Sequence, residues 1–214
     1  KYQLSRHKGV RHFDFTDSLV NADIKELSLF ADLITREGLR ITWAGQALIR
    51  PYMTPEVLKK LKKSGCICLA YGMESGSQKV LDLMRKGFKV EDAQRVIRDT
   101  HEAGIDTVAN FMFGFPGEQE EDFKQTLEFV SRNRGYIDTV NPSLGLTAIG
   151  EGTYLYEHAK DYNVDLSAGY LLWRDLEGKN TYETRKGRYD AFCKLASSLG
   201  LKFSYQVNVN ADVN

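Results

Sequence analysis

Residues 66–87 read CICLAYGMESGSQKVLDLMRKG, a continuous apolar run followed by a polar loop and then by a helical pattern. The apolar run, residues 66–73, is typical of a strand that is buried on both faces of a parallel sheet. Residues 78–87 have helical spacing and end at a glycine, as helices commonly do. This strand–loop–helix unit predicts an α/β fold and places Glu74 and Ser75 at the carboxyl end of a buried strand.

The same unit recurs along the chain. Further strands are predicted at 10–15, 39–45, 105–114 and 136–146, and further helices at 21–38, 54–65, 90–104 and 120–135. Five β–α repeats with short connections favour a parallel sheet, either an open doubly wound sheet or an arc of a barrel. A complete eight-fold barrel typically needs about 250 residues. We therefore predict a partial (β/α) TIM-like barrel over residues 1–150 and a helical and irregular C-terminal extension, residues 151–214, that packs on it.

The composition excludes several classes of partner. Lys+Arg and Asp+Glu both number 29, so no global charge recruits nucleic acid or an anionic membrane. No apolar run approaches the roughly 18 residues that a membrane span needs. Three cysteines do not predict a disulfide framework and favour a cytoplasmic location. Because the chain starts without an initiator methionine or a signal peptide, we expect it to be a fragment of a longer protein.

Polar residues follow each predicted strand, where parallel α/β folds bind their ligands. They are Asp14, Thr16, Asp17, Ser18, Gln46, Arg50, Glu74, Ser75, Ser77, segment 114–118, Asn141, Ser143 and Thr147. This ring is mixed in charge and suits a small zwitterionic or sugar-bearing ligand. Purely structural roles are open as well: Ser77 as a helix cap, Glu118 as a partner of a helix dipole, and residues 114–117 as a tight turn.

The carboxylate of Glu74 needs a partner, because it comes directly after a buried run. Arg50 of the neighbouring repeat, or an amine or hydroxyl of a ligand, would serve. The cysteines Cys66, Cys68 and Cys193 are interpreted as small buried hydrophobic residues, and the four histidines lack the spacing of metal ligands. The sequence predicts no metal site within this chain.

Two segments together resemble the middle of radical S-adenosylmethionine (radical SAM) enzymes. GMESGSQKVLDLMRKG, residues 72–87, is similar to a stretch at the fourth barrel strand of that family, and AGIDTVANFMFGFPGE, residues 103–118, to a stretch at the fifth. Residues 50–65 resemble the third repeat, and residues 150–160 the stretch after the sixth strand. The resemblance extends over about residues 10–160, and in style it is similar to the branch with cobalamin-binding and methylthiotransferase-like members.

The resemblance implies a six-repeat barrel, in which the five predicted strands are strands two to six. In that family the loop after the first strand carries CxxxCxxC, whose thiolates hold a 4Fe–4S cluster. This spacing is not in the sequence, so the cluster cysteines are expected upstream of Lys1. A degenerate member that lacks the motif is the alternative, and the absence of an initiator methionine favours truncation.

The cofactor-binding positions that the resemblance implies are Asp17, Arg50, Glu74, Ser75, Met112, Phe113 and Gly114. By motif position, Glu74 and Ser75 are similar to residues that contact the ribose or methionyl part of S-adenosylmethionine, and residues 112–114 to the segment that packs the adenine. Asn110 stands where the family has a glycine. Asp17 lies where the family recognises the methionyl amine, although the usual Gly-Gly-Glu is absent.

For the whole protein, the resemblance implies reductive cleavage of S-adenosylmethionine to a 5′-deoxyadenosyl radical that abstracts hydrogen from a substrate. The cofactors would be S-adenosylmethionine and a 4Fe–4S cluster that receives electrons from an external donor. A role for cobalamin is left open. Trp173, Arg174, Tyr182 and Arg185 are candidate substrate contacts, although a packed aromatic ring and surface arginines are favoured. Two alternatives stay open: a non-catalytic barrel that binds a nucleoside-type ligand, and a lyase or isomerase with Glu74 as its base and Arg50 as an anion clamp.

Overall fold

Strands and helices alternate through the residues that the computed structural model describes, 2–142 and 146–204. The strands are β1 (His12–Asp14), β2 (Thr42–Ala47), β3 (Cys66–Glu74), β4 (Asp106–Phe111), β5 (Thr139–Pro142), β6 (Val164–Asp165), β7 (Arg174–Asp175) and β8 (Lys202–Phe203). The α-helices are α1 (Tyr2–Arg6), α2 (Ile24–Arg36), α3 (Pro55–Lys63), α4 (Gln78–Leu83), α5 (Val90–Glu102), α6 (Glu120–Asn133), α7 (Tyr154–Glu157) and α8 (Tyr182–Ser198). This alternation confirms the predicted α/β class.

One parallel sheet organises the molecule, with the strand order β1-β2-β3-β4-β5-β8. Strands β6 and β7 form a separate antiparallel pair. All five predicted strands are present, and each of the first five neighbours the next, as in an arc of a barrel. Residues 143–145 of the predicted fifth strand, including Ser143, lie outside the described residues.

The sixth strand of the sheet was not predicted. Strand β8 pairs Lys202 with Thr139 and Phe203 with Val140, so the chain returns to the sheet after a long excursion. The division at residue 150 stays a prediction, but residues beyond it supply a strand of the same sheet.

Helix ends follow the side chains that the sequence offers. Asp23 caps α2 by accepting hydrogen bonds from two backbone N–H groups, and Thr54 caps α3 ahead of a proline at the first helical position. Ser77 caps α4. The helix predicted over 78–87 is shorter, because Arg85 adopts a left-handed backbone with φ of 55° and the chain turns there. None of the described helices has both the length and the apolar character that a membrane crossing requires.

The two faces of the sheet differ in character. The face that packs against helices α2, α3, α5, α6 and α8 is apolar and buried, with Trp43, Leu69, Tyr71, Ala109, Phe111 and Val140. The other face, which we call the open face, carries small or polar residues that are half-buried or exposed: Ala44, Gln46, Cys68, Ala70, Gly72, Asn110 and Asn141. Within the part of the chain that the structure describes, the side chains of the open face are thus accessible to a ligand.

Candidate functional site

The carboxyl end of β3 is strained at Glu74. Its φ is 62°, in the left-handed region, which costs a residue other than glycine about 1–2 kcal/mol. The register with β4 shifts between Gly72 and Glu74, so the strand end is irregular. The carbonyl of Glu74 accepts a hydrogen bond from the Met112 N–H at 3.0 Å, which joins this loop to the one after β4. Backbone strain of this kind is concentrated at functional sites.

Lys86 is the ion-pair partner of Glu74. Its Nζ lies 3.2 Å from Glu74 Oε1, and each side chain is 19% exposed. A Cβ atom at Gly72 would lie 2.7 Å from Glu74 Oε1 and 3.2 Å from Lys86 Nζ, so the glycine makes room for the pair. The sequence interpretation named Arg50 or a ligand as the partner and missed Lys86, although Lys86 is part of the same quoted motif.

Arg50 follows β2 and has an unsatisfied donor. Its Nε is buried and has no hydrogen-bond partner among the described residues. A buried donor without a partner costs free energy, and a carboxylate of a ligand would satisfy it. Asp17 is exposed and lines a cavity of about 340 Å³ with residues of β2 and α2, including Trp43 and Phe30, on the helix-covered side of the sheet.

The serines after β3 fasten the loop to α6. Ser75 is fully buried; its Oγ lies 3.1 Å from Thr126 Oγ1 and accepts the Ser77 N–H. Ser77 donates to Asp122 Oδ1 at 2.8 Å while it caps α4. The Ser75 hydroxyl is therefore engaged in the loop's own hydrogen bonds, and the helix-cap role considered for Ser77 is confirmed.

The segment after β4 presents its three predicted residues differently. Met112 is half-buried beside the open face. The ring of Phe113 is fully buried, with its centroid 4.9 Å from that of Phe192. Gly114 has φ of 75°, and a Cβ atom there would lie 2.2 Å from Cγ of Arg185. Of the three residues, only Met112 has a side chain that is accessible to a ligand.

Glu118 holds this segment from within. Its Oε2 accepts the Gly114 N–H at 2.5 Å and an Arg188 Nη1–H at 2.7 Å, and its side chain is 1% exposed. Burial raises the pKa of Glu118 to about 7, because loss of solvation outweighs the attraction of Arg188. The helix α6 begins after Gln119, so Glu118 ties a loop to α8 rather than serving a helix dipole.

The tail residues proposed as substrate contacts are mostly structural. Trp173 is fully buried, which confirms the packed aromatic ring. Arg185 is also fully buried, so its interpretation as a surface residue was wrong. Its guanidinium lies 4.0 Å from the Trp173 ring centroid and donates to the backbone carbonyls of Leu171 at 2.8 Å and Trp173 at 3.0 Å, and to Asn180. Arg174 is exposed and pairs with Asp165, and Tyr182 packs half-buried against the core.

Two asparagines lie side by side on the open face. Asn141 Nδ2 donates to Asn110 Oδ1 at 3.0 Å, and Asn110 pairs in register with Gly72 of β3. The alternation of β4 and β5 puts both amides on the face without helices. This pair brings donors and acceptors to the strand that neighbours β3. The sequence analysis placed Asn141 in the ring of strand-end residues and noted Asn110 only because the family has a glycine there.

No group of three or more His, Cys, Asp or Glu residues that could hold a metal occurs in the described ranges. Burial raises the pKa of Cys66 to about 12 and that of Cys68 to about 11. Since thiolates rather than thiols are the metal ligands, these two cysteines are poor ligands at neutral pH. The described residues therefore do not fit an iron–sulfur cluster.

The family model described as the radical SAM superfamily matches residues 5–130. An uncharacterized methyltransferase of Pyrococcus horikoshii is 24% identical over 169 residues, 79% of this chain and 36% of that protein. Bacteriochlorophyllide d C-12(1)-methyltransferase of Chlorobaculum tepidum is 28% identical over 155 residues, 72% of this chain and 32% of that protein. The chain spans about a third of the length of these curated relatives.

Solved structures show the same fold at low identity. The radical S-adenosylmethionine methyltransferase TsrM from Kitasatospora setae, with cobalamin and a [4Fe-4S] cluster bound, has a TM-score of 0.62 at 18% identity, over 87% of this chain and 39% of that one. Coproporphyrinogen III oxidase from Escherichia coli has a TM-score of 0.58 at 16% identity, over 87% and 41%. These likenesses confirm the predicted partial barrel.

Proposed function

Since the chain belongs to the radical SAM superfamily, we propose that the whole protein cleaves S-adenosylmethionine reductively and that this chain holds that molecule at the carboxyl ends of β3 and β4. The observation that carries the proposal is the hydrogen bond from the Met112 N–H to the Glu74 carbonyl. It brings the two motifs of the resemblance together at one edge of the sheet, beside the open face.

The residues at this edge fit a zwitterionic nucleoside. The unpartnered Nε of Arg50 suits a carboxylate, and the open face offers the amides of Asn110 and Asn141 to hydroxyl groups. The Met112 side chain and the neighbouring backbone suit a flat base. These groups would bind and orient S-adenosylmethionine. The paired side chains of Glu74 and Lys86 occupy the space next to Gly72 and would keep water out of it.

Bound S-adenosylmethionine would, on one-electron cleavage of its C–S bond, release methionine and supply the 5′-deoxyadenosyl radical that abstracts hydrogen from a substrate, and the protein would supply binding and orientation. The electron needs a 4Fe–4S cluster, which the described residues do not fit. We therefore assign no role in cluster binding to this part of the chain. Transfer of a methyl group is the reaction class that the relatives named above favour for the whole protein.

Anaerobic product analysis of the whole protein tests this proposal. The protein is reconstituted with iron and sulfide and given dithionite and S-adenosylmethionine, and 5′-deoxyadenosine is measured. We expect product from the wild type and at least tenfold less from Glu74→Ala. The matched control is Glu128→Ala, which removes an exposed glutamate that pairs with Arg132 on the surface of α6.

Two results would contradict the proposal. No 5′-deoxyadenosine from protein with a verified cluster would leave a barrel that binds a nucleoside-type ligand without turnover. Turnover of a substrate without iron or reductant would instead indicate a lyase or isomerase.

A further inference from the structure

Helix α8 carries two buried arginines one turn apart, Arg185 and Arg188. They are 0% and 7% exposed, and their spacing of three residues puts them on one side of the helix. Arg185 reaches the carbonyls of Leu171 and Trp173 in the irregular tail. Arg188 reaches Glu118 in the loop after β4. The helix is thus fastened to two separate segments by neighbouring side chains.

The backbone of Gly114 is held at both its N–H and its C=O group. Its N–H donates to Glu118 Oε2, and the same oxygen accepts from Arg188 at 2.7 Å. Its carbonyl accepts from Asn180 Nδ2 at 3.0 Å. The stem of Arg185 occupies the place that a Cβ atom at Gly114 would need. Two hydrogen bonds and the Arg185 stem therefore set the position of the Gly114 backbone, and Arg188 holds the carboxylate that makes one of these bonds.

A buried ion pair contributes little net stability, because the cost of desolvating both charges offsets most of their attraction. What the pair of Glu118 and Arg188 does achieve is geometric, since a carboxylate held at one oxygen by a guanidinium cannot swing away from the Gly114 N–H. Small displacements of binding groups weaken ligand positioning strongly. Removal of Arg188 alone leaves the Glu118 carboxylate buried without its partner, which lowers stability, so the positional effect is measured at the loop in a variant that still folds.

We propose that Arg188 is a positioning residue, which acts through Glu118 to hold the Gly114 backbone and thereby the adjoining Met112, against which S-adenosylmethionine lies. This inference rests on the function proposed above. Arg188 itself lies behind the loop, where it contacts Glu118 and the Phe123 ring. It has no part in the chemistry.

The test compares Arg188→Met, Arg188→Lys and Lys186→Met in the whole protein. Lys186 is the matched control, since it lies on the same helix and pairs with Asp190 at the surface. Hydrogen exchange of the peptide that spans residues 114–118 is measured without ligand, and the Kd for S-adenosylmethionine is measured by equilibrium binding after reconstitution. We expect Arg188→Met to speed that exchange at least tenfold and to raise the Kd about tenfold, Arg188→Lys to restore part of both, and Lys186→Met to stay within twofold of wild type.

The outcomes separate this inference from the proposed function. A wild type that does not bind S-adenosylmethionine would refute the proposed function. Hydrogen exchange of residues 114–118 is measured without ligand, so it would still show whether Arg188 holds the loop. A folded Arg188→Met protein with unchanged exchange and an unchanged Kd would overturn the inference. If Arg188→Met does not fold, Glu118→Gln takes its place, because it keeps the side chain's shape and removes its charge. Faster exchange in that variant supports the inference, and unchanged exchange overturns it.

Discussion

The Lys86 ammonium lies 3.2 Å from the Glu74 carboxylate, and Glu74 reaches this position with a left-handed backbone. The pairing joins the two ends of one motif, since Glu74 closes β3 and Lys86 follows α4. An unstrained residue at position 74 would aim its side chain elsewhere. The strain is therefore the local cost of placing this pair at the edge of the open face.

Two substitutions of Glu74 distinguish the effect of its strained backbone from the effect of its carboxylate. Glu74→Gly should relieve the strain at φ of 62°, so its unfolding free energy should exceed that of Glu74→Ala by about 1 kcal/mol. Both variants lack the carboxylate, so both should bind S-adenosylmethionine at least tenfold more weakly than wild type. Urea unfolding and equilibrium binding check the two effects. Wild-type affinity in the glycine variant would show that the backbone, rather than the carboxylate, serves the site.

Arg50→Met should weaken binding without weakening the fold. The buried Nε of Arg50 has no partner in the described residues, so its removal loses no internal hydrogen bond. A charge-assisted hydrogen bond to a ligand carboxylate is worth about 1.5–3 kcal/mol, which corresponds to a tenfold or greater rise in Kd. Arg132→Met, at an exposed ion pair on α6, is the control for loss of charge. Reduced stability with unchanged affinity would count against a ligand role for Arg50.

Glu118 predicts how stability depends on pH. Its pKa is raised from 4.5 to about 7, so between these values the folded protein holds a proton that the unfolded chain releases. Raising the pH across this range therefore removes stability, by about 3 kcal/mol at 1.36 kcal/mol per pKa unit. The charged groups that face Glu118 are Arg188 of α8 and Asp122 of α6, and Glu120 lies 3.7 Å from Arg188.

The measurement is the unfolding free energy of wild type and Glu118→Gln at a series of pH values between 4.5 and 8. Because glutamine does not titrate, the difference between the two proteins isolates the contribution of position 118. The unfolding free energy of wild type should fall relative to that of Glu118→Gln as the pH rises. A difference that stays constant would mean that Glu118 has an ordinary pKa, and one that moves in favour of wild type would mean a lowered pKa.

The three cysteines are expected to be dispensable for iron. Burial keeps Cys66 and Cys68 protonated, and the described residues offer no cluster of metal ligands. Single alanine substitutions at Cys66, Cys68 and Cys193 should leave the iron content of the reconstituted whole protein unchanged. Colorimetric iron determination per folded protein checks this. Loss of iron from a folded variant would make that cysteine a cluster ligand.

Much of the sheet could be predicted from sequence, because its strands are apolar runs set between capped helices. Asp23 and Thr54 mark helix starts as their side-chain chemistry demands. Strand β8 was missed because it has only two residues, and its pairing with β5 depends on where α8 docks. A run of that length carries no periodic signal.

The site was predicted less completely, because side-chain partners depend on turns that the sequence does not fix. Two left-handed residues, Glu74 and Arg85, decide that Lys86 rather than Arg50 meets the carboxylate. The burial of Arg185 was missed for a related reason: its acceptors are backbone carbonyls of an irregular segment. Charged residues are seldom buried, so their type alone favours the surface.

Strand β5 borders β4 on one side and β8 on the other, and the two neighbours differ greatly in sequence distance. Pairing with β8 can form only after the intervening chain, including α8, has folded back. Contacts between distant segments slow folding, and an unpaired strand edge invites pairing with other chains. During synthesis, the edge of β5 therefore has no β8 partner until residues 202–203 have emerged from the ribosome, and in that interval it can pair with other chains.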